Sequence, residues 1–216
     1  CGSVMEDSDN LTQSFYHPDG FYFVGGTSRA GGACLAEKFG IENLKKFDSN
    51  VLGLIPTKIL IYPLVGKGET FPFKSEIAKE FIMGYGNERE LYTAYLEGVS
   101  YLEKLSFEKL EKMGYEISGD SIFAVGGSTK GLEWLKIRAT VLGKKLHVPK
   151  YPYSAFGAAV MASVGVYYDS LAQATENMVK IERTVTPYID FQREYNRLYL
   201  EFKDKCRYAY EKEFKL

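Results

Sequence analysis

The chain is poor in the residues that bind metals or form disulfides. Among 216 residues there are three cysteines and two histidines. Cys1, Cys34 and Cys206 are odd in number and far apart, so they suggest neither a disulfide framework nor a zinc pattern. That scarcity predicts a reducing, cytoplasmic setting. His17 and His147 stand alone and read as structural. An excess of one charge is missing too. Lys plus Arg is 27, Asp plus Glu is 28, and the formal charge of −1 offers no attraction for nucleic acid or an anionic membrane. No apolar run approaches the roughly 18–20 residues that span a bilayer, and the polar, acidic opening over 1–10 is no signal peptide. No carboxylate pair, Ser/His/Asp set or Cys/His pair stands out, so no catalytic residue and no metal ligand is assigned. The chain opens at Cys1 rather than methionine and soon enters a strand pattern, as a piece of a longer protein would.

The chain does have glycine where strands end. A β-rich run over 121–125 meets Gly126-Gly127-Ser128-Thr129-Lys130-Gly131, and helix-compatible sequence follows through Trp134 and Ile137 to Val141. Glycine lets a main chain approach a ligand that a Cβ would hold off. A helix N-terminus adds unpaired N–H groups and partial positive charge. The spacing is neither a P-loop nor a Rossmann fingerprint, and taken alone it suits a ligand-free turn equally well. A second glycine-rich turn, Gly25-Gly26-Thr27-Ser28-Arg29-Ala30-Gly31-Gly32, also joins a strand to a helix. Two such turns in one α/β domain say more than either, because nucleotides are commonly held between two loops. Lys67, Glu69, Lys130 and Arg138 are the charges nearest these loops, and each reads as a solvated side chain.

Elsewhere the pattern predicts a turn at 17–20, strands over 21–25 and 58–64, and loop chemistry over 65–72. Helical spacing runs over 87–113, with a break near Ser106 and Gly114 as its terminator. Gly98 inside that helix carries a penalty of about 1 kcal/mol relative to alanine, so a close packing contact is expected there. A strand over 145–148 and a helix over 155–162 capped by Ser154 follow. An amphipathic helix over 190–216 puts Phe191, Tyr195, Leu198, Tyr199, Phe202, Cys206 and Tyr210 on one packing face. Alternating strands and helices imply an α/β fold with a mixed sheet flanked by helices.

In the order and spacing of five segments, from about Phe21 to the end, the chain resembles the C-terminal half of the FGGY carbohydrate kinases. Ile122 to Gly127, with Lys130 and Trp134, resembles that family's adenosine loop and tryptophan-bearing helix. Val141 to Pro149 resembles the strand that follows, and Ser154 to Ala159 the next helix start. Leu91 to Val99 resembles the long helix before the loop, and Ala30-Gly31-Gly32 the early turn near the phosphates. There are departures. Ser128 and Thr129 stand where many relatives have Gly-Ala, Leu135, Lys136 and Thr140 replace Arg, Gln and Asp, and residues 71–88 match poorly.

The resemblance implies an actin-like, ribonuclease-H-like ATPase fold, with residues 1–216 forming the nucleotide-binding domain of a two-domain sugar kinase. It implies nucleotide contacts at Gly31, Gly126, Gly127, Ser128 and Gly131. ATP and Mg²⁺ would be the cofactors, with the metal ligands and the catalytic base in an N-terminal half. The implied partners are ATP or ADP, a ketopentose or related polyol reached through that half, and a second copy of the chain in a homodimer. Neither nucleic acid nor membrane is implied. The altered Ser128, Thr129 and Lys136 positions also suit an alternative: a non-catalytic nucleotide-sensing or protein-interaction module derived from such a kinase. The order of the five segments argues against other actin-like ATPases.

Overall fold

The computed structural model describes residues 7, 9–17, 20–117 and 119–210. Its elements run β1 (Gln13–Tyr16), β2 (Tyr22–Gly25), α1 (Gly32–Phe39), α2 (Leu44–Asp48), β3 (Leu60–Glu69), β4 (Ser75–Met83) and α3 (Glu88–Lys112). They continue through β5 (Ser121–Phe123), α4 (Leu132–Leu142), β6 (Lys145–Pro149), α5 (Ser154–Ala162), α6 (Leu171–Met178), β7 (Ile181–Val185) and α7 (Ile189–Ala209).

Helix α3 is the central beam. Asn87 accepts from the N–H groups of Arg89 and Glu90, and Glu90 accepts in return from Asn87 N–H, which makes a capping box. Residues 92–98 are all buried. At Gly98 a built Cβ would stand 2.3 Å from the carbonyl oxygen of Ile61. Only glycine lets α3 lie this close to β3, as the sequence suggested. The expected break near Ser106 does not occur: its hydroxyl donates to Leu102 C=O at 2.8 Å, and the helix continues to Lys112.

The loop expected over 65–72 is largely strand. β3 continues to Glu69 and pairs antiparallel with β4, with register shifts on both sides of Lys67. The glycines that read as loop instead serve irregular pairing, with Gly66 and Gly68 at φ 77° and 95°. β1 and β2 form a separate antiparallel hairpin. Gly20 N–H donates to His17 C=O at 2.9 Å across the expected turn; Pro18 and Asp19 lie outside the described residues.

The third sheet is mixed, with β5 parallel to β6 and β7 antiparallel to β6. Helix α4 lies between two apolar clusters. Leu135 and Ala139 pack with Ala124, Leu146, Val148 and Val185. Trp134, Ile137 and Val141 belong to the main core with α3, β3 and α7. The aromatic stripe of α7 is buried as expected, with Phe202 stacked on Tyr62 at 6.1 Å between centroids. Burying one such side chain stabilises the fold by roughly 1.5–3 kcal/mol. The helix ends at Ala209, and residues 211–216 of its expected span lie outside the described residues. Ser154 is the first residue of α5 rather than its cap, which is Tyr153 with no side-chain bond.

Candidate functional site

The two glycine turns meet. The Gly126 loop closes on itself: Thr129 N–H and its hydroxyl both donate to Gly126 C=O, at 3.2 and 2.7 Å. Gly126 N–H is anchored outside the loop on Pro152 C=O at 2.7 Å. Its φ of 82° lies in the left-handed region that favours glycine. Gly126 therefore shapes the turn, and buried Thr129 locks it.

The early turn is held by a carboxylate that the sequence reading left in solvent. Glu69 is buried, at 2% exposure. Its oxygens accept from Arg29 N–H at 2.8 Å, Ser28 Oγ at 2.9 Å, Tyr62 OH at 2.7 Å and Thr70 N–H at 2.9 Å. The expectation of a solvated Glu69 is therefore overturned, because four donors compensate its burial. Arg138 departs from that expectation in the same way. It is buried against Glu103 through two bonds of 2.8 Å and donates to Ser128 Oγ at 3.3 Å. Lys67 and Lys130 are exposed, as read.

Two adjoining cavities lie between the turns. The larger, about 720 Å³, is lined on one side by Gly32, Leu35, Ile41 and Leu44, and on the other by Gly127, Ser128, Lys130 and Gly131. The smaller, about 240 Å³, is lined by Ser28, Gly31, Ser128, Glu103 and Arg138. Gly32, Ser128 and Trp134 border both. Of the five sequence-predicted site residues, four line these cavities, and Gly126 stands behind them as the loop's anchor. A built Cβ at Gly31 or Gly127 would meet nothing within 4 Å, so both face open space. The N-terminal ends of α1 and α4 border the larger cavity through Gly32 and Gly131. Helix N-termini of this kind attract anionic groups.

Trp134 fixes the floor. It is 7% exposed, and its indole N–H donates to Leu96 C=O at 3.2 Å. Cys34, beneath the early turn, donates to Gly31 C=O at 2.6 Å. Burial pushes its thiol up to about 11, which makes it a structural rather than a nucleophilic cysteine. Sequence reasoning missed Asp48 and Tyr92, which also line the larger cavity. The Tyr92 hydroxyl donates to Asp48 Oδ1 at 2.6 Å. Burial raises the Asp48 carboxyl above its ordinary value and nearby Glu133 adds to the rise, while the Tyr92 bond opposes it. Asp48 sits on the short α2, whose five residues give too little periodicity to read.

The model of the FGGY family of carbohydrate kinases, C-terminal domain, matches residues 5–166. The autoinducer-2 kinase of Escherichia coli strain K12 is 26% identical over 184 residues, which are 82% of this chain and 34% of that protein. The chain thus spans about a third of the length of the curated relatives it matches. The crystal structure of xylulose kinase from Rhodospirillum rubrum superposes with a TM-score of 0.74 at 26% identity, covering 92% of this chain and 42% of that one. The gluconate kinase of Lactobacillus acidophilus shares the fold, with a TM-score of 0.77 at 18% identity, covering 94% of this chain and 43% of that one.

Proposed function

The chain belongs to the FGGY family of carbohydrate kinases, and from that premise we propose that it is the nucleotide-holding half of an enzyme that transfers the γ-phosphate of ATP to a sugar hydroxyl. The observation that carries the site is the meeting of the two glycine turns over Trp134. Neither turn implies a ligand alone. Together they border one trough with an apolar wall, open glycine positions and two helix N-termini. Phosphoryl transfer needs chiefly positioning and charge stabilisation, and these residues supply binding and alignment. The nucleoside lies against Gly127, Ser128 and Gly131, and the phosphates lie toward Gly31. Glu69 acts at one remove by holding Ser28 and Arg29.

Mg²⁺ would supply charge neutralisation on the phosphates, but the described residues do not fit it. Glu103, the carboxylate beside Ser128, is taken by Arg138. No group of three His, Cys, Asp or Glu placed to hold a metal ion occurs among the described residues. The metal ligands, the base that takes the sugar hydroxyl proton and most sugar contacts are therefore assigned to the other half of the kinase. Among the described residues no helix is long and apolar enough to cross a membrane.

Trp134 is the only tryptophan and borders both cavities, so its fluorescence reports the site directly. Titration with ADP should give a saturable change with a weak, up to millimolar, dissociation constant. Gly127→Val, which fills open space, should weaken binding by roughly tenfold or more without lowering the melting temperature. A flat titration at millimolar ADP would instead favour a protein-interaction module. The chain alone should not phosphorylate sugars, and turnover by it would place a catalytic base among its own residues.

A further inference from the structure

The trough is chemically graded. At one end Gly31, Ser128 and the Arg138–Glu103 ion pair meet beside the start of α1. At the other the wall becomes Leu35, Ile41 and Leu44, with Lys45 and Asp48 of α2. A nucleotide placed with its phosphates at the first end puts its base at the second. Glu103 at the first end is neutralised by Arg138. A carboxylate with no ion pair suits the second end, since it repels phosphate and accepts from the donor edge of a base.

Asp48 is built to accept. Tyr92 holds Oδ1 at 2.6 Å. Oδ2 lies 3.6 Å from the point where Gly131 would carry a Cβ, against the loop that borders the nucleoside. No second hydrogen bond and no ion pair reaches Asp48 among the described residues, although Lys45 lines the same cavity one turn earlier. The Tyr92 bond fixes the carboxylate plane, and the missing side chain at Gly131 leaves its second oxygen accessible.

The geometry points to Asp48 as the base-reading residue of this site: Oδ2 accepts from the exocyclic amine of a 6-aminopurine, which selects adenine over 6-oxopurines. The assignment rests on the nucleotide reading above. A 6-oxo group would set one acceptor against another and leave Oδ2 without a donor. The half-buried position of Asp48 makes that mismatch worth roughly 10- to 100-fold in affinity.

The test is a Trp134 fluorescence titration of the 216-residue chain with ADP, IDP and 2′-deoxyADP. Wild type should bind ADP roughly 10- to 100-fold more tightly than IDP and treat 2′-deoxyADP like ADP. Asp48→Ala should bring ADP and IDP within about threefold through loss of ADP affinity. Asp48→Asn, whose amide also donates, should narrow the gap from both sides. Circular dichroism melts establish that the variants fold. Equal binding of ADP and IDP by wild type overturns the assignment without any variant. A preference unchanged in both variants overturns it too, as does a variant defect confined to discrimination against 2′-deoxyADP, which would assign Asp48 to a ribose hydroxyl. A chain that binds none of the three nucleotides defeats the nucleotide reading itself, and this inference with it.

Discussion

Glu97 and Gly98 are adjacent on α3 and carry different loads. Glu97 is fully buried and accepts from Tyr195 OH at 2.8 Å and Thr57 Oγ1 at 2.5 Å. Burial pushes its carboxyl up to about 7 from an ordinary 4.5, and the Thr57 and Tyr195 bonds only partly offset that rise. The folded chain therefore keeps a proton that the unfolded chain releases near pH 4.5. Stability from this group is fully present below that pH and falls as pH rises toward about 7, by about 3 kcal/mol in all. Urea denaturation at pH 5, 6 and 8 should show the decline, and Glu97→Gln should flatten it. A wild-type chain equally stable at pH 5 and 8 would place the ionised form in the core. At Gly98 the usual sign of a helix substitution reverses. Gly→Ala ordinarily stabilises a helix by about 1 kcal/mol. Here the new methyl would meet the Ile61 carbonyl, and overpacking of this kind costs about 1–3 kcal/mol. A Gly98→Ala melt at or above the wild-type temperature would mean that α3 and β3 are free to separate.

Among the elements, the early turn shows how a buried residue can govern a site it does not touch. Glu69 joins β3 to Ser28 and Arg29, and Tyr62 supports it from the core. Glu69→Ala leaves Arg29 N–H and Tyr62 OH without their acceptor, a loss of about 2–4 kcal/mol. It should also speed amide exchange through residues 27–32 and weaken ADP binding. Unchanged exchange there would show that the turn is held by other bonds. Glu69 was invisible as a buried group because a glutamate that follows Gly66-Lys67-Gly68 looks like loop chemistry. Its burial depends on donors 40 residues away in sequence, which periodicity does not register. The same limit hid β4 and α2. β4 is paired irregularly to a strand interrupted by positive-φ glycines, and α2 is a single short turn-and-a-half. By contrast α3 and α7 were legible because each carries an apolar face at helical spacing over three or more turns, and α4 because helix-compatible sequence follows the glycine turn. The glycine turns were legible as turns. That they meet over Trp134 depends on α4 packing between two clusters, a tertiary fact that no local pattern holds.

At the scale of the molecule, the described surface is unevenly finished. One face of the mixed sheet is covered by α4, while Phe123 on the outer strand β5 and Val125 just beyond its end remain 62% exposed. Among the described residues β5 is hydrogen-bonded to β6 alone. Parallel strands are ordinarily covered on both faces, and an open strand edge invites pairing. Helix α5, reached from this loop through the Gly126–Pro152 bond, buries only Val160 and exposes Met161 by 50%. The hairpin β1–β2 adds Phe15 and Phe23, at 60% and 54%. Scattered apolar residues need no explanation, but an apolar helix and an apolar strand edge joined by one bonded loop suggest a contact surface. In the proposed two-domain kinase the remaining half of the enzyme would cover it. Expressed alone, the chain should bind an apolar dye and self-associate as concentration rises. Phe123→Lys and Met161→Lys should each reduce both effects while leaving ADP binding intact, because neither residue lines the trough. Joining the chain to the N-terminal half proposed for it should abolish dye binding and bring sugar phosphorylation in the same step. Sedimentation velocity over a hundredfold concentration range separates the outcomes. A chain that stays monomeric and dark to the dye would mean that these side chains are quiet surface, and that the two halves meet elsewhere.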